Sequence, residues 1–279
     1  MAIGDDGGVK SVRNAIVALV ALSACASSVD AVPATVAGVG EIPGVIGTVA
    51  VPVEATASTT SLPAGPVPVR PADLGEPTVA EVAAGNRVML IGDSITAATA
   101  PRFGGSMCDK LTGVGWYVEI NAEPGRFVSF ADVVLDRRLD PGGDTAWDAA
   151  VIFLGSNHDG DLARFTSRYV DALDRLAPRP VVGLTVTEIA ANRSDLNEVI
   201  RAEASARDNV QLIDWAVITA AEPGLLARDG LHLSSAGGNR LVTEVALALG
   251  PAMVQVVDAE CAPTQFTDDE VGSGSGDDL

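Results

Sequence analysis

Arg87-Val88-Met89-Leu90-Ile91-Gly92-Asp93-Ser94-Ile95-Thr96 sets a short apolar, β-branched run against a tight Gly-Asp-Ser turn. A run of that length closed by a turn signal reads as a buried strand. Four more runs of the same kind follow, at Tyr117–Asn121, Ala149–Leu154, Val181–Val186 and Val210–Ile213, and helical patterns occupy Ala163–Leu176, Leu196–Ala206 and Ala236–Leu249. Strand alternating with helix predicts a five-stranded parallel sheet with helices on both faces, a three-layer α/β/α sandwich, because crossovers between parallel strands are right-handed by default.

Composition narrows the partners. The 279 residues are 47% hydrophobic and 20% charged, which excludes a disordered chain. Asp and Glu total 37 against 18 Lys and Arg, for a net charge of -19 and a pI near 4.3. The basic footprint that a phosphate backbone requires is missing, so nucleic acid is excluded as a partner. Three cysteines and two histidines are too few to build a zinc cluster, and neither metal nor cofactor is expected.

Outside the alternating region the chain changes character. Lys10 and Arg13 precede the apolar run Ala15–Cys25, about half the length of a membrane-spanning helix, which reads as the core of a signal peptide over residues 1–25. Leu22-Ser23-Ala24-Cys25 resembles the bacterial lipobox, making Cys25 the expected lipidation site; cleavage near Ala26 by the ordinary secretory route is the alternative. Either route exports the protein, as a lipoprotein on the outer face of the membrane or as a secreted chain. Residues 26–84, rich in Ala, Val, Pro and Thr without amphipathic period, read as a tether. A catalytic domain is expected over 85–250, and a C-terminal extension ending in a disordered acidic tail over 251–279.

In an open parallel sheet, ligands bind beyond the carboxyl ends of the strands. The residues at those ends are Gly92-Asp93-Ser94, then Asn121-Ala122-Glu123-Pro124-Gly125-Arg126, then Leu154-Gly155-Ser156-Asn157-His158-Asp159, and, ahead of the last helix, Asp229-Gly230-Leu231-His232-Leu233. A serine hydroxyl needs a base to attack a carbonyl, and a histidine needs an acceptor to orient it.

These four blocks, in this order, resemble the SGNH-hydrolase (GDSL-like) superfamily across residues 87–249, and most closely the SGNH domains of bacterial cell-envelope O-acetyltransferases. The resemblance implies a flavodoxin-like fold and a serine nucleophile, Ser94, with His232 as base and Asp229 orienting it. It further implies an oxyanion hole made of the Ser94 and Gly125 backbone N–H groups and the Asn157 side-chain amide. Asp93 is expected to order the nucleophile turn rather than to move protons. Arg126 is a candidate substrate contact or a solvated arginine, and His158 lines the pocket, makes a supporting bond or competes as base. With Cys25 used for lipid, the remaining Cys108 and Cys261 suit a disulfide in an exported protein, two buried thiols being the alternative.

The expected activity is hydrolysis of an ester-linked acyl group, on an acylated carbohydrate, envelope glycan or small ester, through an acyl-serine intermediate. The alternatives are O-acyl transfer together with a membrane acyltransferase partner, and glycan binding without turnover. The chain is expected to act as a monomer and to meet the membrane only through its lipid.

Overall fold

Five parallel strands form the sheet in the order β2-β1-β3-β4-β5, with β1 Arg87–Gly92, β2 Tyr117–Ala122, β3 Ala149–Phe153, β4 Val181–Leu184 and β5 Val210–Ile213. The computed structural model describes residue 75 and residues 77–139 and 147–263, all within the unit Thr59–Leu279. The leader, with Cys25, most of the tether, and the acidic stretch 267–279 lie outside the described residues. Among those described, no helix is long and apolar enough to cross a membrane.

The helices are α1 Val79–Val82, α2 Ser94–Ala97, α3 Met107–Thr112, α4 Phe130–Leu139, α5 Leu162–Leu176, α6 Ala191–Ala206, α7 Trp215–Ala221 and α8 Ser235–Leu249. Two layers enclose the sheet: α4, α5 and α6 pack in succession, while α8 packs with α3 and α1. Burial on both faces explains the near-continuous apolar strands: every residue from Val88 to Ile91 and from Ala149 to Phe153 is buried. Trp116, Trp215, Tyr169, Phe153 and Phe165 are the bulkiest side chains of the core.

Several boundaries differ from those read in the sequence. The packed domain starts before residue 85, inside the stretch assigned to the tether. Thr78 donates its N–H and hydroxyl to Glu81 Oε2 in a capping box, and Val79 and Ala80 are buried. A four-residue helix is too short to leave an apolar period. Strand β4 ends at Leu184 rather than Val186, because both main-chain groups of Val186 are taken by the Asn197 side chain and the Thr185 hydroxyl donates to Asp214.

The C-terminal segment lies along the outer edge of β2. Val118 donates its N–H to the Glu260 carbonyl and accepts from Ala262, both at 2.8 Å. A disulfide joins Cys261 to Cys108 in α3, with Cα atoms 5.7 Å apart. Asn86, fully buried, donates to the carbonyls of Gly115 and Val257 and accepts from the N–H groups of Val256 and Val257. At the same end of the sheet the Trp116 indole donates to Gly250, and Gly250 abuts Thr78.

Candidate active site

Register brings the loops of the site together. Gly92 pairs with Ala122 on one side and Phe153 on the other, so Asp93, Glu123 and Leu154 leave three adjacent strands at one level. Gly92 is required by close approach: a Cβ there would lie 2.1 Å from Thr96 Oγ1, because α2 turns back directly over the strand end. Ser94 opens α2 and is half-buried, and Asp93 caps it by accepting the Ile95 N–H at 3.0 Å.

The other oxygen of Asp93 reaches the third loop and accepts the Ser156 N–H at 3.2 Å. One buried carboxylate thus ties the serine turn to the segment carrying Asn157. Burial pushes the Asp93 carboxyl up to about 6, against the lowering effect of the Ile95 and Ser156 hydrogen bonds and of the His232 charge.

His232 and Asp229 sit on a small hairpin between the 3-10 turn Pro223–Leu225 and α8. Leu226 and Leu233 bridge its base, and Ala227 donates to the His232 carbonyl at 2.7 Å. His232 Nδ1 is 2.7 Å from Asp229 Oδ2, while Asp229 Oδ1 accepts the backbone N–H groups of Leu231 and His232. These bonds, that from the His232 ring foremost, hold the Asp229 carboxyl down to about 2. An ionised Asp229 can only accept, so Nδ1 carries the proton and Nε2 is left as the basic nitrogen.

The second and third loops meet at Asn157, whose side-chain amide donates to the Arg126 carbonyl at 3.1 Å. Gly125 lies one residue earlier with φ +77, a left-handed conformation that favours glycine, and open space where a Cβ would be. Arg126 places its guanidinium 5.0 Å from the Phe130 ring centre. His158 turns its ring edge-on to Phe165 at 5.8 Å, and desolvation lowers its pKa, assisted by the Arg193 charge.

The sequence reading missed Arg193 and Asn197, both buried, on the first two turns of α6. Asn197 fixes Val186, and Arg193 donates to the Ser156 carbonyl at 2.7 Å. Arg193, Asn197 and Ile200 share one helix face. A basic residue spaced in register with the apolar Leu196 and Ile200 was the available signal. Beyond β4 and β5 a cavity of about 640 Å³ opens beside Asp229 and Gly230, with Thr187, Glu188, Ile189 and Thr219 in its wall.

A five-stranded parallel sheet in this order, bearing serine at the end of β1 and Asp-x-x-His ahead of the last helix, has the form of the SGNH α/β hydrolase fold. The structure is similar to the lipase Lip_vut3 from a goat rumen metagenome, at 14% identity over 60% of this chain and 99% of that one, with a TM-score of 0.49. It is similar to the Clostridium thermocellum family 3 carbohydrate esterase, at 18% identity over 59% of this chain and 94% of that one, with a TM-score of 0.46. The psychrotrophic esterase EstA from Pseudoalteromonas sp. has 13% identity over 59% and 96% of the two chains and a TM-score of 0.44. No family model and no curated protein matches the sequence.

Proposed function

We propose that the chain is an exported SGNH-type serine esterase that removes acyl groups, acetyl above all, from carbohydrate or envelope glycan. The observation that carries this reading is the Asp229–His232 pair, hydrogen-bonded at 2.7 Å just ahead of α8, in a chain whose Ser94 follows β1. His232 Nε2 takes the Ser94 hydroxyl proton as Oγ attacks the acyl carbon. The tetrahedral oxyanion is held by the N–H groups of Ser94 and Gly125 and by the Asn157 amide. Collapse expels the alcohol, which receives the proton from His232, and leaves acyl-Ser94. Water, deprotonated by the same imidazole, then attacks the acyl group and releases the acid and free Ser94.

The cavity beside Asp229, with the hydroxyls of Thr187 and Thr219 and the carboxylate of Glu188 in its wall, is suited to a hydroxyl-rich leaving group, and Arg126 is a candidate second contact. Export follows from the Lys10–Cys25 segment, with Cys25 as the lipidated residue.

Purified full-length protein in detergent, wild type beside Ser94→Ala, is tested with p-nitrophenyl acetate, alone and with an oligosaccharide acceptor. Nitrophenol release that depends on Ser94, without acetylated sugar, is the expected result. Ser94-dependent acetylation of the sugar would replace hydrolysis by transfer and call for a membrane acyltransferase partner. Equal inactivity of both proteins, with no labelling of Ser94 by a fluorophosphonate, would leave a glycan-binding protein without turnover.

A further inference from the structure

We propose that Arg193, reaching in from the first turn of α6, is a positioning residue that sets the Asn157 amide and the Ser94 turn through the Ser156 main chain. The proposal rests on the serine-esterase reading and extends it to a residue that lies outside all four sequence blocks.

The argument is geometric. Arg193 is 8% exposed and donates through Nη2 to the Ser156 carbonyl at 2.7 Å and through Nη1 to Asn192 Oδ1 at 2.9 Å. The Ser156 carbonyl belongs to the peptide that links Ser156 to Asn157, so the guanidinium holds the plane from which the Asn157 side chain departs. On the other side of Ser156, its N–H goes to Asp93 Oδ2 at 3.2 Å, and Asp93 Oδ1 caps the helix that starts at Ser94. Ser156 is therefore clamped between a cation on its carbonyl and an anion on its N–H, and both charges are buried.

A buried guanidinium loses hydration and is retained only with compensation. Here the compensation includes the charge of Asp93, which acts to raise the Arg193 pKa against desolvation. Asn197, one turn further along the same face, closes both hydrogen bonds of Val186 and so fixes the loop after β4. One helix end thus braces two loops of the site. An apolar side chain at residue 193 would fill the space and leave the Ser156 carbonyl unpaired. An oxyanion donor displaced by a fraction of an ångström loses much of its effect on the transition state while substrate binding is spared.

The test uses the full chain with Arg193→Met and Arg193→Lys, each alone and combined with Asn157→Ala. Arg193→Met is expected to lower kcat on p-nitrophenyl acetate by about 10- to 100-fold with KM within about twofold. Arg193→Lys, keeping a donor, recovers part of the loss. In the Asn157→Ala background the same change costs less than it does in the wild type, because one of the two groups that Arg193 positions is gone and only the effect through the Ser94 turn remains. Independently of turnover, hydrogen exchange at the Ser156 and His158 amides accelerates in Arg193→Met while Leu90 and Val151 stay protected. Additive losses, a change confined to KM, or unchanged exchange at Ser156 would overturn the proposal. Should Arg193→Met not fold, Arg193→Lys carries the same comparisons. Should the wild type show no Ser94-dependent turnover, the esterase reading falls, and the exchange measurement still decides the role of Arg193.

Discussion

Asp229 grips His232 at two points: Oδ2 lies 2.7 Å from the ring Nδ1, and Oδ1 accepts the backbone N–H of the same residue at 3.0 Å. Both side chains are about half exposed, at 51% and 50%, so the imidazole is oriented by that carboxylate rather than by packing. Asp229→Asn is expected to lower kcat by about 10³- to 10⁴-fold with little change in KM, since an amide can present a donor to the ring and favour the wrong tautomer. Steady-state kinetics with a small ester check this. A loss below about tenfold would remove Asp229 from the catalytic group.

The Asp229 carboxyl, held down to about 2, stays ionised through the ordinary carboxylate range and above it. The pH profile of kcat/KM is therefore expected to show no step near the ordinary carboxylate value of about 4. Such a step, abolished by Asp229→Asn, would show that the pairing with His232 is absent in solution.

Asp93 makes a prediction about stability. Its folded value, about 6, lies above the unfolded value near 3.8, so the folded state binds the proton more tightly. Stability is fully present below pH 3.8 and falls as pH rises to 6. The span corresponds to about 3 kcal/mol. Urea unfolding between these limits should show Asp93→Asn gaining on the wild type as pH rises. A difference independent of pH would mean that Asp93 titrates alike in both states.

Asn157 is half-buried and its amide already points to a carbonyl, that of Arg126. Asn157→Ala should leave the fold intact and lower kcat about 10²- to 10³-fold, or roughly 3–4 kcal/mol of transition-state stabilisation. Thermal unfolding within a few degrees of wild type, together with that loss, separates an oxyanion role from a structural one.

The Cys108–Cys261 bond closes 153 residues of separation. Cys108→Ala with Cys261→Ala is expected to cost up to about 5 kcal/mol by constraint of the unfolded chain. Reduction should also raise hydrogen exchange at Ala262, whose N–H bonds Val118. Unchanged unfolding midpoints after full reduction would sink this expectation.

The central strands were readable because β1 and β3 are buried on both faces, so Val88–Ile91 and Ala149–Phe153 appear as short apolar runs with turns after them. The first three blocks were readable as turns because each directly follows one of the apolar runs. Helix α6 was read from Leu196 onward and begins at Ala191. Its first turn is mostly polar, with Arg193 alone buried in it, so it carries no apolar period, and Arg193 went unseen for the same reason. The short helices α1, α2 and α7 escaped as well, since four to seven residues give at most two turns of pattern. The C-terminal segment along β2 is also held by one buried amide, Asn86, whose partners lie up to 171 residues away. No local pattern encodes such a pairing.

Because all five strands are parallel and Ser94 follows β1, the two ends of the sheet have separate duties. Thr78, Gly250 and the first residues of β1 gather at the amino end, and the Cys261 bridge to Val118 sits only one residue into β2. The described chain thus enters its folded body at the end of the sheet opposite Ser94. Within the described residues the path from Thr78 to Ser94 runs the length of β1, so a change made at Thr78 or Gly250 is separated from the serine by the whole height of the sheet.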